Sequence, residues 1–151
     1  MYGSKGEVPD GEYIIPFGQA AVLNEGDDVS IIAMGRMVLF AKESIKKLKA
    51  EGINCDLIDL RTTSPLDENA ILDSVEKTGR VVIVDESTPR CSLASDIAGF
   101  IVSHGFSSLK APVQQVTSPH APVPFARELE RAYVPSPENI STAVRRVMNY
   151  K

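Results

Sequence analysis

The sequence has no surplus of positive charge, few cysteines and histidines, and no long apolar run. Each shortage excludes a class of function. With 16 Lys and Arg against 20 Asp and Glu, the formal net charge is −4. A nucleic-acid or anionic-membrane surface needs clustered cations, so that balance argues against both partners. No apolar stretch approaches the roughly 20 residues that span a bilayer, and no charged-then-apolar signal segment opens the chain. Cys55 and Cys91 are the only cysteines, far apart and outside any C-x-x-C pattern. They read as two buried thiols of a cytoplasmic chain, rather than as a disulfide or a metal site. His104 and His120 are the only histidines, with no H-E-x-x-H or H-x-x-x-H pattern to make either a metal ligand. His104 falls at a predicted helix C-terminus, where the dipole favours it. Neither G-x-G-x-x-G nor G-x-x-x-x-G-K-[ST] occurs, and no internal repeat or low-complexity segment is present.

What is present suits one domain with a real core: 151 residues, 43% of them hydrophobic. Val29–Arg36 (V-S-I-I-A-M-G-R) is a short apolar run that ends on Gly and Arg, and it predicts a strand buried on both faces. An amphipathic helix follows over Met37–Glu51, with Val38, Ala41, Ile45 and Leu48 on one face and Gly52 as its stop. Cys55–Leu60 and Arg80–Asp85 are the next buried strands. Between them a helix over Glu68–Lys77 is capped by Asp67 and ended by Gly79. Cys91–His104 reads as a helix closed by Gly105, and Val113–Thr117 as a further strand. Prolines 119, 122 and 124 hold Ser118–Phe125 out of regular structure. Ser136-Pro137-Glu138 opens the last helix, which Ile140, Val144, Val147 and Met148 dock. The alternation means α/β architecture with right-handed crossovers. Residues 1–27 are punctuated by Gly and Pro. They read either as a linker from something upstream or as an arm packed on the domain, with Tyr2 and Tyr13 to bury and Ala20–Leu23 as a possible edge strand.

Two places offer themselves as sites. If the Val29 strand is central, the crevice at its carboxyl end is lined by Gly35, Arg36, Arg61, Thr62, Glu86 and Ser87, a small anion or nucleotide pocket. Arg36 and Arg61 are as readily ion-paired to Asp59, Asp85 or Glu86. Asp85 and Glu86 point to opposite faces of a strand and so share no proton pathway; a salt-bridge or cap role fits them better. The second place is the Pro-rich segment with Phe125, Tyr133 and the Asn149-Tyr150-Lys151 tail. Aromatics, Arg and Pro on an acidic surface point to a protein–protein contact.

Several fragments, in order along nearly the whole chain, resemble one family. They are Ile15-Pro16-Phe17-Gly18, Gly26–Ile31, Met34–Val38, Asp59-Leu60-Arg61-Thr62 with Pro65 and Asp67, Lys77–Arg80, Ala111-Pro112-Val113, Pro122–Phe125 and Val147–Tyr150. Together they resemble the C-terminal domain of the beta subunit of thiamine-diphosphate-dependent 2-oxo acid or acetoin dehydrogenase complexes, a domain similar to the C-terminal domain of transketolase. The resemblance implies a three-layer α/β/α fold with a mixed, mostly parallel five-stranded sheet and one antiparallel edge strand near Ala20–Leu23. It implies residues 1–27 as linker and edge-strand segment and 28–151 as the domain, the second half of a longer subunit that begins with a pyrimidine-binding domain. Thiamine diphosphate, with its Mg, and the catalytic histidine belong in that family to the alpha subunit and the first half of beta. No catalytic, cofactor-binding or metal-binding residue is therefore expected here, and the isolated domain is expected to be inactive.

In the family this domain holds an alpha-two beta-two assembly together and receives the peripheral-subunit-binding domain of the lipoyl acyltransferase. The resemblance implies a partner interface around Lys110, His120, Pro122, Phe125, Tyr150 and Lys151. Two departures bear on it: Lys110 stands where an acid is common, and the chain ends Tyr150-Lys151, one residue beyond the aromatic. The segment around His120 leans towards the acetoin-type members. The substrate (acetoin, pyruvate or a branched-chain 2-oxo acid) is not legible. The rival reading is a free-standing binding domain that uses the crevice at Gly35 and Arg61.

Overall fold

The computed structural model describes residues 6–7 and 9–151. Among these residues five strands and five α-helices follow one another: β1 (Ala21–Asn24), β2 (Val29–Ala33), α1 (Arg36–Ala50), β3 (Cys55–Asp59), α2 (Glu68–Thr78), β4 (Val81–Val84), α3 (Leu93–Gly105), β5 (Gln114–Val116), α4 (Arg127–Tyr133) and α5 (Pro137–Met148). The sheet order is β1-β3-β2-β4-β5. β2, β3, β4 and β5 are parallel, and β1 pairs antiparallel with β3 at one edge. β2 is central, as its unbroken apolar run predicts, and all five of its residues are buried.

Alternation along the strands divides the core into two layers. Ile31, Leu57 and Val82 turn to the face covered by α1 and α5, where Leu48, Ala41, Ile140 and Val144 meet them. Ile32, Ile58 and Ile83 turn to the other face, against Ile71 and Val75 of α2 and Ile97 and Ile101 of α3. The result is the expected three-layer α/β/α fold. Among the described residues no helix is long and apolar enough to cross a membrane.

The ends of the elements are set by local chemistry. Asp67 caps α2 by accepting the Ala70 N–H at 3.1 Å, and Gly79 closes it in the left-handed conformation, φ 72°. Ser136 and Asn139 form a reciprocal capping box at α5, with Pro137 as its first residue. Beneath α2 lies a buried polar cluster. Asp56 of β3, 1% exposed, takes hydrogen bonds from Lys77 Nζ at 2.6 Å and from Ser74, which joins it to Ser30 and Thr78.

Several expectations are corrected. The run Val29–Arg36 is not all strand: β2 stops at Ala33, and Gly35, φ 59°, turns the chain so that Arg36 opens α1. α3 starts at Leu93, capped by Ser92, which leaves Cys91 in the turn before it, exposed and with φ 50°. Only Cys55 is a buried thiol. α3 does end at Gly105, as expected, and the chain continues directly into a 3₁₀ turn over Phe106–Ser108. Tyr13 is 59% exposed rather than buried, and Tyr2 lies outside the described residues. α4 has no signature in the sequence, because its seven residues R-E-L-E-R-A-Y carry no buried position and hence no apolar period to read.

Candidate functional site

The expected crevice at the carboxyl ends of the strands is divided by the turn at Gly35. On one side a small hollow lies under α3, between Leu60, Asp85 and Ala94. On the other, an open depression runs between the β1–β3 edge and α1, walled by Ile15, Phe17, Met34, Leu39 and Arg61. Arg36 belongs to neither: its guanidinium lies 5.1 Å from the Phe40 ring centroid, on a third cavity shared with α4. The six residues expected to line one pocket are thus spread over separate surfaces, and the Gly35–Arg61 depression is mostly apolar. Among the described residues neither Arg36 nor Arg61 is in an ion pair. Asp85 is a cap, accepting from the Ala94 N–H at 3.2 Å and the Ser87 N–H at 2.9 Å.

The D-L-R-T-x-x-P-x-D stretch has a structural explanation. Arg61 takes the left-handed conformation, φ 56°, at the centre of a tight turn that the Thr62 N–H closes onto the Leu60 carbonyl. The turn aims Thr62 at the N-terminal segment. Its hydroxyl oxygen accepts the Gly18 N–H at 2.9 Å while donating to the Pro65 carbonyl at 3.0 Å. Asp67, besides capping α2, accepts the Ala20 N–H at 2.8 Å. A side chain at Gly18 would meet the Pro65 ring at 3.0 Å. The motif therefore clips residues 18–20 to the sheet and leaves the residues before them outward: Ile14 is 80% exposed and Phe17 85%. With Leu23, Met34 and Leu39 also exposed in the same depression, this is an apolar face of the kind that marks an interface.

The six residues expected at a partner interface fall at opposite ends of the sheet. Lys110 precedes β5, at the amino ends of the parallel strands. Its N–H donates to the Gly79 carbonyl at 2.7 Å and its Nζ to the Thr78 carbonyl at 3.2 Å, so this cation satisfies the end of α2. It also lines a groove of about 650 Å³ whose walls include Val102, Phe106, Pro112, Val113 and Tyr150. Phe106 is 71% exposed and Tyr150 56%. Lys151 follows Tyr150 as an exposed residue. His120, Pro122 and Phe125 follow β5 and lie beyond its carboxyl end. Ser118 pins that segment, its N–H donating to the Ser87 carbonyl and its hydroxyl to the Glu86 carbonyl. The Tyr133 hydroxyl donates to the Ala121 carbonyl at 2.9 Å. His120 is exposed and Phe125 wholly so. His104 is held at the end of α3, its Nδ1 3.0 Å from the Phe100 carbonyl and its ring against Phe100.

Among the described residues, no three His, Cys, Asp or Glu side chains come together.

Residues 18–140 match the family described as "Transketolase, C-terminal domain". The beta subunit of the acetoin:2,6-dichlorophenolindophenol oxidoreductase of Cupriavidus necator is 49% identical over 98% of this chain and 44% of its own length. The beta subunit of 2-oxoisovalerate dehydrogenase of Bacillus subtilis is 37% identical over 97% of the chain and 45% of its own length. A solved split-gene transketolase, an inactive β4 tetramer, superimposes with a TM-score of 0.79 at 29% identity, over 95% of this chain and 45% of that one. The chain thus spans less than half the length of these relatives. The match over most of its length, on a sheet of this order, makes the chain a member of the transketolase C-terminal domain family.

Proposed function

We propose that this chain serves as the C-terminal assembly and docking domain of the beta subunit of a thiamine-diphosphate-dependent dehydrogenase first component, of the acetoin type. The observation that carries the reading is the similarity to such beta subunits across almost the entire chain, at 49% identity for the acetoin enzyme against 37% for the 2-oxoisovalerate enzyme. The whole enzyme would work in the cytoplasm and pass its acyl group to a lipoyl arm. Thiamine diphosphate and Mg would be held by residues outside this chain. The alpha subunit and a second beta subunit would cover apolar surface such as the Ile14–Phe17 face. The groove beside Lys110 and Tyr150 would receive the lipoyl acyltransferase. Lys110 favours a partner that is not basic at that point, because two like charges brought together at a desolvated contact repel.

Two measurements test this. The 151-residue chain, incubated with acetoin or pyruvate, thiamine diphosphate, Mg and dichlorophenolindophenol, should reduce no dye; turnover would overturn the reading. Titration of the peripheral-subunit-binding domain of a lipoyl acyltransferase into the chain should give saturable heat, and Val102→Asp should abolish it. Heat unaffected by that substitution would remove the groove from the proposal.

A further inference from the structure

The third cavity at the carboxyl edge of the sheet, bounded by α1, α4 and α5, is unlike the others in its charge. It holds about 370 Å³ and is lined by Arg36, Arg127 and Arg131, with Glu130 as its one acid. Phe40, Val134 and Pro135 form its apolar walls. Among the described residues none of the three arginines is in an ion pair, although the chain as a whole is acidic. Arg127 and Arg131 are four apart on α4 and so project from the same helix face, where like charges disfavour the helix. Arg36 comes to them from the first turn of α1, its guanidinium steadied over the Phe40 ring. Three arginines thus line one concavity with no ion-pair partner among the described residues, which leaves their donors open to an anion.

We propose that this cavity binds a small phosphoryl-bearing metabolite. The donor set decides the class. A single carboxylate offers two oxygens and one negative charge, whereas a phosphoryl group, with three oxygens and up to two negative charges, is the better match for two or three guanidinium forks. Three arginines less Glu130 leave two positive charges, which match a phosphoryl dianion. The place is also the one where open parallel sheets commonly take ligands, outside the carboxyl ends of the strands, with α1 and α5 both starting at its rim. The apolar walls give the body of the ligand something to lie against.

The test is titration of the full 151-residue chain with inorganic phosphate, a hexose phosphate and a nucleoside diphosphate. Binding is followed by calorimetry and by amide chemical shifts at Arg36, Arg131 and Ser136. Saturable binding of any of the three, with shifts at those amides and an affinity weakened at least about tenfold in Arg127→Ala/Arg131→Ala, supports the site. The tightest of the three then identifies the source of the phosphoryl group. Arg131→Lys, which keeps the charge but loses the fork, should fall between the parent and the alanine variant, and Arg90→Ala should bind as the parent does. Because these arginines are exposed and unpaired, the variants should keep the parent's far-ultraviolet circular dichroism and melting midpoint. Absence of saturable binding, binding that the double variant retains, or preference for a polyglutamate peptide over every phosphoryl ligand would overturn the proposal; the last would instead favour an acidic protein partner.

Discussion

At Gly26 the chain turns between β1 and β2 with no room to spare. A Cβ there would stand 2.5 Å from backbone atoms of Asn54 and Cys55. Those atoms belong to the start of β3 and cannot swing aside as a side-chain tip could. Gly26→Ala should therefore lower stability by about 2–3 kcal/mol, read as a shift of the urea midpoint. An unchanged midpoint would show that the turn yields. The two thiols differ for an equally local reason. Burial, with a smaller push from Asp28, raises the Cys55 thiol from its ordinary 9.0 to about 12; Cys91 is exposed. A disulfide reagent at pH 8 should consume one thiol in the native chain and both after denaturation. The pH dependence follows from the sign. A folded-state value above the unfolded one means that the unfolded chain loses its proton first as pH rises. The Cys55 contribution is thus complete below about pH 9 and is lost progressively towards pH 12. Cys55→Ala should lose less stability than the parent across that window, and equal slopes would refute the assignment.

α2 is held by more than its apolar face. Asp56 beneath it is 1% exposed, and its partner Lys77 is 37% exposed. Lys77→Met would leave a buried carboxylate with only Ser74 and the Gly26 N–H to satisfy it. The loss should be about 2 kcal/mol, below the roughly 3–5 kcal/mol of breaking a fully buried pair because Lys77 is part-solvated. Adding Asp56→Asn removes the uncompensated charge, so the double variant should be less damaged than the sum of the two singles by at least about 0.5 kcal/mol in chemical denaturation. Strict additivity would mean that the two groups do not act together. α4 differs from its neighbours: it buries no residue and has no side-chain cap. Its place rests on contacts at its ends, such as the bond from the Tyr133 hydroxyl to Ala121.

For the whole molecule the question is which surfaces are finished. Ile14 and Phe17 project from a segment that Thr62, Asp67 and Pro65 hold firmly just beyond them. A clip of that kind commits three motif residues to presenting apolar side chains to the outside. Phe17→Ser should leave the melting midpoint unchanged, since surface changes usually fall within about 0.5 kcal/mol. In the proposed assembly the same substitution should weaken association with the alpha subunit at least about tenfold, measured by sedimentation, as loss of a buried aromatic anchor does. An equal affinity would place the interface elsewhere. The groove beside Lys110 and the arginine cavity lie at opposite ends of the strands, so a docked partner and a bound phosphoryl group need not compete.

The three-layer fold and the kinship came with the resemblance; the residues alone carried the central place of β2, the apolar helix faces and the caps at Asp67, Gly79 and Ser136. These depend on period and on near neighbours, which a sequence displays directly: a side chain's inside-or-outside choice repeats along its own element. Positions that depend on how distant pieces pack are not legible in the chain. Cys91 looked like a helix residue and is an exposed turn. Arg36 looked like the lip of a crevice shared with Arg61, yet it turns the other way to meet Arg127 and Arg131. Lys110 and Tyr150 were grouped with His120 and Phe125, although β5 runs between the two sets and carries them to opposite edges. No periodicity records such meetings, because they are fixed by strand order and by helices crossing over the sheet. The tertiary fold alone brings together arginines that the chain keeps far apart.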